Sequence, residues 1–166
     1  MPTLIKSQGG RMVLANDPFT HVDDEQELPR GDLIISLARF QTDGDRLLSE
    51  GRSVGVRLGP DEQVEALAYD LPRLSVVALA FPKFLDGRHY SNARILRDRY
   101  GFQRELRAVG DVLREQAGFM LRAGFDAFEP ADGSTPEQWE RATRRYRHVY
   151  QRGVDDRVPA FVERGS

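Results

Sequence analysis

The chain has 166 residues, of which 40% are hydrophobic and 30% charged, a composition typical of one globular domain and not of a disordered segment. Its net charge of −2 gives no general attraction to nucleic acid or anionic lipid, and no apolar run approaches the ~20 residues of a membrane span. Cysteine is absent, which excludes thiol catalysis, disulfide exchange and cysteine-ligated clusters.

The first thirty residues predict a β-hairpin followed by a linker. TLIKS and RMVLA are short and rich in apolar residues, and the turn residues Gln8-Gly9-Gly10 lie between them. The next segment, NDPFTHVDDEQELPRGD, is acidic and is interrupted by Pro18 and Pro29, which indicates an exposed connection. Its carboxylates could bind a cation, although a solvated acidic loop is the more common case.

From Leu33 onwards the chain alternates between strand and helix patterns. The run LIISLARF is ambiguous, and the spacing of the later apolar residues favours a helix from about Ser36 to Glu50 that ends at Gly51. LSVVALAF is a continuous apolar run, as expected for a parallel strand covered on both faces. The predicted strands are 53–58, 75–81, 105–110 and 125–129, and the predicted helices are 36–50, 60–71, 91–100, 112–123 and 135–152.

This alternation predicts an α/β fold in which βα repeats form a small parallel sheet or half-barrel, preceded by the N-terminal β-hairpin. A single domain is expected, with the hairpin and linker (1–30), the βα core (31–152) and a tail (153–166). Half of a βα barrel and an open doubly wound sheet both fit, and both place ligands at the carboxyl ends of the strands. The chain is too short for a complete eight-stranded barrel, which could close only in a homodimer.

The stretch 81–116 combines the densest group of polar residues with flanking apolar runs. Three of its residues are candidates for catalysis, because they follow predicted strands or lie in the adjoining turns: Lys83, Asp86 and Asp111. Each also has a structural interpretation. Lys83 could reach solvent beside Pro82, Asp86 could stabilise a turn, and Asp111 could cap a helix.

The same stretch is rich in arginine, whose guanidinium binds oxyanions bidentately. The candidate anion-binding residues are Arg88, Tyr90, Ser91, Arg94 and Arg107. Tyr90 and Ser91 are expected at a helix N-terminus, where free amides favour anions, although Ser91 is most simply the N-cap of that helix. The polar residues of 81–116 therefore form either a ligand pocket or a buried ion-pair network.

Other signatures of chemistry are absent. There is no dinucleotide-binding fingerprint, P-loop or nucleophile elbow, and His21, His89 and His148 lack metal-ligand spacing. No cofactor and no metal site are predicted. The last predicted helix carries a basic face, which is either solvated or in contact with an acidic redox partner. This face consists of Arg141, Arg144, Arg145 and Arg147.

The motifs FPKFLDGRHYSNARILRDRYG, ELRAVGDVL and GFDAF resemble those of a bacterial family, domain of unknown function 934, over roughly Val54 to Phe128. The positions that match the family pattern are Asp86, Gly87, Arg88, Tyr90, Ser91, Arg94 and Asp111. The sequence departs from it at Ala123, where many members carry cysteine, and at His89, where a small residue is usual. An obligatory thiol at position 123 and shared chemistry at His89 are therefore disfavoured.

The resemblance implies an accessory role in assimilatory sulfite reduction, because members are encoded near the reductase and described as oxidoreductases of that pathway. The implied partner is sulfite reductase or its electron donor, and the protein would be associated with an oxidoreductase. The alternative is an enzyme or binding domain for an anionic small molecule at the Lys/Arg/Asp site on the strand ends. Either role is expected in the cytoplasm, without contact to nucleic acid or membrane.

Overall fold

A computed structural model of the chain describes residues 3–82 and 87–155, with side chains through residue 145. Within these ranges the chain forms one eight-stranded sheet and four α-helices. The strands are β1 (Leu4–Gln8), β2 (Arg11–Ala15), β3 (Phe19–His21), β4 (Asp32–Ser36), β5 (Val54–Leu58), β6 (Val76–Phe81), β7 (Glu105–Gly110) and β8 (Ala127–Phe128). The helices are α1 (Leu37–Ser49), α2 (Arg88–Arg94), α3 (Ala117–Ala123) and α4 (Pro136–Asp155). None of these helices is both long enough and apolar enough to cross a membrane.

The predicted N-terminal hairpin is confirmed. β1 and β2 pair antiparallel, with Gln8 opposite Arg11 at the turn. Gly9 and Gly10 form that turn with φ values of 58° and 83°, and a two-residue turn with positive φ at both positions matches the twist of a hairpin. β1 also pairs antiparallel with β8, so the hairpin extends one edge of the sheet.

The sheet is a curled half-barrel with the strand order β2-β1-β8-β7-β6-β5-β4-β3. Strands β3 to β8 are parallel, and neighbours in the sheet are also neighbours in the chain. Right-handed crossovers that all advance in one direction place their connecting helices on one face of the sheet, here called the outer face. The predicted half-barrel is therefore the observed form, and the open doubly wound sheet is not.

Alternate residues of each strand pack on opposite faces of the sheet. In β6, Val77 and Leu79 join the large core beneath the helices, whereas Val76 and Ala78 join a smaller cluster on the other face, here called the inner face. The remaining members of the inner cluster are Phe19, Ile34 and Val109. Because β6 is buried on both faces, its sequence is apolar without alternation, as predicted.

The structure adds two strands, β3 and β4. Phe19 to His21 pairs in parallel with β4, so the predicted exposed connection is wrong at these three residues. A strand of three residues is too short to show a period of two. β4 occupies the first part of the ambiguous run LIISLARF, and α1 then begins at Leu37. Ser36 is the N-cap of α1, since its Oγ accepts a hydrogen bond of 3.1 Å from the Arg39 amide. The predicted helix start at Ser36 is thereby confirmed.

Three predicted helices are shorter or shifted. The segment 60–71 contains only 3₁₀ turns, at Val64–Leu67 and Leu71–Arg73, and the helix predicted at 112–123 begins at Ala117 after a 3₁₀ turn. The helix predicted from Ser91 begins three residues earlier and continues as a π turn, Ile95–Arg99. Apolar spacing indicates which residues are buried, but it does not distinguish i+3, i+4 and i+5 hydrogen bonding.

The start of α4 agrees with the predicted capping box. Thr135 Oγ1 accepts a hydrogen bond of 3.2 Å from the Gln138 amide, and Gln138 Oε1 accepts one of 2.9 Å from the Thr135 amide. Trp139, in the first turn, is fully buried and donates through its indole N–H to Ser134 Oγ at 2.8 Å. α4 is thereby anchored to the body at its N-terminal end. Residues 156–166, which include most of the predicted tail, lie outside the described residues.

Gly110, the last residue of β7, is required by the close approach of β6. Its φ is +92°, and a Cβ atom there would lie 2.4 Å from the Phe81 carbonyl oxygen. We expect Gly110→Ala to lower the free energy of unfolding by about 2 kcal/mol or more, since the strained φ alone costs about 1–3 kcal/mol. Urea denaturation measures this difference.

Gly133→Ala is the matched control, because Gly133 also has positive φ, +72°, but a Cβ atom there meets nothing within 4 Å. Gly133→Ala should lower the free energy of unfolding less than Gly110→Ala does. Equal losses in the two variants would show that contact with Phe81 is not the limiting constraint.

Candidate functional site

Arg107, in β7, lies at the centre of the inner face with 0% of its side chain exposed. Its Nη1 donates to Asp17 Oδ2 and to Glu129 Oε2, both at 2.8 Å, and its Nε donates to Glu105 Oε2 at 2.6 Å. Lys6 adds a second cation, 3.1 Å from Glu105. These five side chains, here called the inner network, satisfy the requirement that a buried charge be paired and hydrogen-bonded.

The electrostatics of the inner network keep Arg107, Asp17 and Glu129 ionised. Burial alone would lower the pKa of Arg107, but hydrogen bonds and charges from Asp17, Glu105 and Glu129 outweigh it and raise that pKa. Burial alone would raise the pKa of Asp17 and of Glu129. Contacts with Arg107 reverse this effect at Asp17, and contacts with His21 and then Arg107 reverse it at Glu129, so that both pKa values are lowered. Asp17 and Glu129 are therefore charged at neutral pH.

The network also closes the curl of the sheet. Asp17 lies just before β3, Glu129 lies just after β8, and four other strands separate β3 from β8 in the sheet. Both carboxylates nevertheless accept from the same guanidinium nitrogen, Arg107 Nη1. The two ends of the parallel sheet are thus joined across the inner face by side chains.

His21, at the end of β3, links this network to a second arginine. Its Nε2 lies 2.7 Å from Glu129 Oε2, and its Nδ1 lies 3.3 Å from Arg57 Nη1. A guanidinium has only donors, so Nδ1 accepts the hydrogen bond from Arg57, and Nε2–H donates the one to Glu129.

A pocket of about 460 Å³ opens beside His21 at the carboxyl ends of the strands. Its volume falls within the range of about 300–1,000 Å³ that is usual for small-molecule sites. The lining residues are Asp17, Phe19, Thr20, His21, Arg57, Ala80, Val109, Gly110 and Glu129. The pocket, here called the inner pocket, combines charged groups, a histidine and an apolar wall, and so could bind a small molecule or move a proton.

The candidate catalytic residues are placed only in part. Lys83 and Asp86 lie outside the described residues. Asp111 follows β7, and its amide donates to the Phe81 carbonyl at 3.1 Å, which ties the ends of β6 and β7 together. It does not cap a helix, because the next helix begins at Ala117 with no side-chain cap. The predicted capping role of Asp111 is therefore wrong.

Four of the candidate anion-binding residues lie on α2. Arg88 is its first residue and pairs with Asp61 at 2.9 Å, and Arg94 is its exposed last residue. Tyr90 packs against Phe81 with ring centroids 5.4 Å apart, and burial raises its pKa.

Ser91 is an exposed residue of the helix body, because Gly87 is the N-cap of α2. Its predicted capping role is wrong. The first turn of α2 begins three residues earlier than expected, so Tyr90 lies in that turn, one residue ahead of Ser91.

The sheet separates the fifth candidate, Arg107, from the other four. α2 packs on the outer core through Ala93, and the π turn that follows it does so through Leu96, whereas Arg107 belongs to the inner face. For Arg107 the predicted buried ion-pair network is therefore the observed arrangement, and its guanidinium contacts three carboxylates of the chain itself.

Four ionisable residues of the inner pocket are not among the residues predicted from the sequence: Asp17, His21, Arg57 and Glu129. For the arginines, the sequence does contain one indication of a buried site. Arg57 and Arg107 each interrupt an apolar strand of a two-sided sheet, and an arginine in such a strand needs internal partners. Their partners could not be identified, because they come from segments distant in sequence.

The fold and the pocket define an α/β half-barrel with a small-molecule-sized pocket on its inner face, at the carboxyl ends of the parallel strands. The chain belongs to a family of bacterial proteins of unknown function (DUF934), whose model matches residues 55–161. The predicted family resemblance is thereby confirmed. No curated protein matches the chain.

Replacing Arg107 by methionine should destabilise the protein strongly. Three carboxylates would remain on the inner face without their shared partner, and breaking a buried ion pair in this way costs about 3–5 kcal/mol. Urea denaturation of Arg107→Met at pH 7 measures the loss. Arg73→Met is the control, since Arg73 forms surface ion pairs and its removal should change stability little.

The stability of the wild type and that of Arg107→Met should also depend on pH in different ways. In the wild type the lowered pKa values of Asp17 and Glu129 supply stability that is present above their unfolded-state pKa values, about 4, and is lost as pH falls below them. In Arg107→Met the buried carboxyls lose this partner, their pKa values rise, and stability should increase from pH 7 to pH 5. Parallel pH profiles would contradict the assigned role of Arg107.

Proposed function

We propose that the protein is an accessory component of assimilatory sulfite reduction, acting in the cytoplasm beside the reductase or its electron donor. Membership of the family, whose model matches residues 55–161, supports this proposal through the resemblance described above, which implies a role beside sulfite reductase. The absence of cysteine is consistent with a supporting role, since the chain cannot provide thiol chemistry or cysteine ligands for a cluster. The reductase or its donor would then carry the electrons.

The basic face of α4 is the surface that we propose for docking. Arg141, Arg144 and Arg145 are exposed on the described part of this face. Arg144 pairs with Glu140 on the preceding turn at 2.8 Å, a surface ion pair that an incoming carboxylate can replace at little cost. Electron-transfer partners associate through complementary charge, which accelerates encounter and selects the partner. An acidic surface is therefore the complement that this face requires.

Charge reversal on α4 tests this role. We expect the wild-type chain to co-purify with sulfite reductase or its donor and Arg141→Glu to co-purify at least about tenfold less, because like charges at an interface cost on the order of kcal/mol. Arg30→Glu, an equal charge reversal at an exposed linker position, should bind as the wild type does. Absence of the reductase and donor from the wild-type pull-down would refute the accessory role.

A second candidate is an enzyme or binding domain for an anionic small molecule at a Lys/Arg/Asp site on the carboxyl ends of the strands. The residues of this site would be Lys83, Asp86, Arg88, Arg94 and Asp111. One observation favours it. The hydrogen bond from the Asp111 amide to Phe81 brings the ends of β6 and β7 together at the edge where ligands of parallel sheets bind, and α2 with its two arginines follows β6. Arg88 pairs with Asp61 at the surface, and an anion could replace this partner.

For this second candidate we expect a sulfur or phosphorus oxyanion to raise the melting temperature of the wild type but not of Arg88→Gln. The guanidinium would supply a charge-assisted hydrogen bond worth about 1.5–3 kcal/mol. Thermal denaturation in sulfite, sulfate and phosphate at constant ionic strength measures the shift. Equal shifts in the two proteins would remove Arg88 from the site.

A further inference from the structure

Arg57 differs from the other cations of the inner face in its partners. Lys6 and Arg107 each contact a carboxylate, whereas Arg57 has no carboxylate within 4 Å among the described residues. Its hydrogen bond goes to His21 Nδ1, a neutral acceptor at 3.3 Å. A guanidinium has five N–H donors, so most of those of Arg57 remain available to a ligand.

The position of Arg57 makes its available N–H donors accessible to a ligand. It is half-buried near the carboxyl end of β5, and it lines the inner pocket together with an apolar wall formed by Phe19, Ala80 and Val109. A partly buried arginine next to apolar surface is less screened by water than an arginine on an open surface. The pocket thus offers one cationic contact and space for a short apolar group.

The charges around the pocket restrict the ligand further. Two cations and three carboxylates give the inner network a net charge of −1, and Arg57 brings the inner face to neutrality. On its other side Arg57 borders a second hollow, of about 580 Å³, that the acidic residues Asp23, Asp24 and Glu25 line. These carboxylates repel a multiply charged anion, but they can tolerate a single negative charge held by Arg57.

We propose that the inner pocket binds a small monoanion, a carboxylate or sulfonate carried on a short apolar group, with Arg57 as the residue that contacts its oxygens. Its lining contains no residue of α2 or α4, so the site is distinct from the α2 arginines of the second candidate above and independent of docking through α4. His21 occupies its floor between Arg57 and Glu129. An anion that engages Arg57 weakens the hydrogen bond to His21 Nδ1, and the imidazole thereby senses occupancy of the pocket.

Calorimetric titration of the purified full chain with butyrate and with ethanesulfonate tests the proposal, with butyramide as the neutral isostere and sulfate as the dianion. We expect both monoanions to bind more tightly than butyramide and sulfate. Arg57→Gln should weaken the binding of both monoanions by at least about tenfold, the loss expected for a hydrogen bond to a charged group. Arg30→Gln, at an exposed linker position away from both sites, should bind them as the wild type does. Arg88→Gln is titrated as well to test the second candidate above, here called the outer site.

Three results would overturn the inner site: no binding of either monoanion to the wild type, equal binding by Arg57→Gln, or loss of binding in Arg88→Gln alone. The last result would instead support the outer site. If Arg57→Gln fails to fold, nitrogen NMR of His21 in the wild type decides. Addition of butyrate should shift the Nδ1 resonance, assigned with His21→Gln, and an unchanged Nδ1 resonance at saturating butyrate would also overturn the proposal.

Discussion

The shape of the inner face depends on the contact of one buried arginine with three carboxylates. The side chain of Arg107 has no exposure to solvent. Its Nη1 donates both to Asp17, just before β3, and to Glu129, just after β8. Buried ion pairs contribute little net stability compared with apolar packing, yet removing one partner is costly. The main effect of the network is therefore selectivity for one closure of the sheet, since any arrangement that separates these segments leaves a charge buried alone.

Small residues make room for this closure. Gly55 lies in β5 on the inner face, and a Cβ atom there would lie 2.8 Å from Val76 Cβ. In the same layer of the sheet as Arg57 and Arg107 the intervening strand contributes only Ala78. Two long arginine side chains can lie across the curl because the residues between them are short. The inner pocket is the space that remains at the mouth of the curl, where β6 and β7 contribute the small residues Ala80 and Gly110.

The sequence predicts the parts of the fold that depend on local patterns. The hairpin follows from Gly9-Gly10, β6 from its unbroken apolar run and the start of α4 from its capping box, and each is confirmed. The inner network could not be predicted from local patterns. Asp17 and Arg107 are 90 residues apart in the chain, and His21 belongs to a strand of three residues inside an acidic segment. Local propensity contains no information about such a contact, because it is the curl of the whole sheet that brings the residues together.

The boundary of the family match divides the inner pocket. Among the ionisable residues that line the pocket, Arg57 and Glu129 lie within the matched residues 55–161, whereas Asp17 and His21 precede them. The matched region thus supplies the arginine and one carboxylate of the lining, and the N-terminal segment supplies the second carboxylate and the imidazole. The curl of the sheet brings His21 of β3 to Arg57, and Asp17, just before β3, to Arg107. The charge balance that favours a monoanion at Arg57 therefore depends on the N-terminal segment as much as on the motifs that define the family.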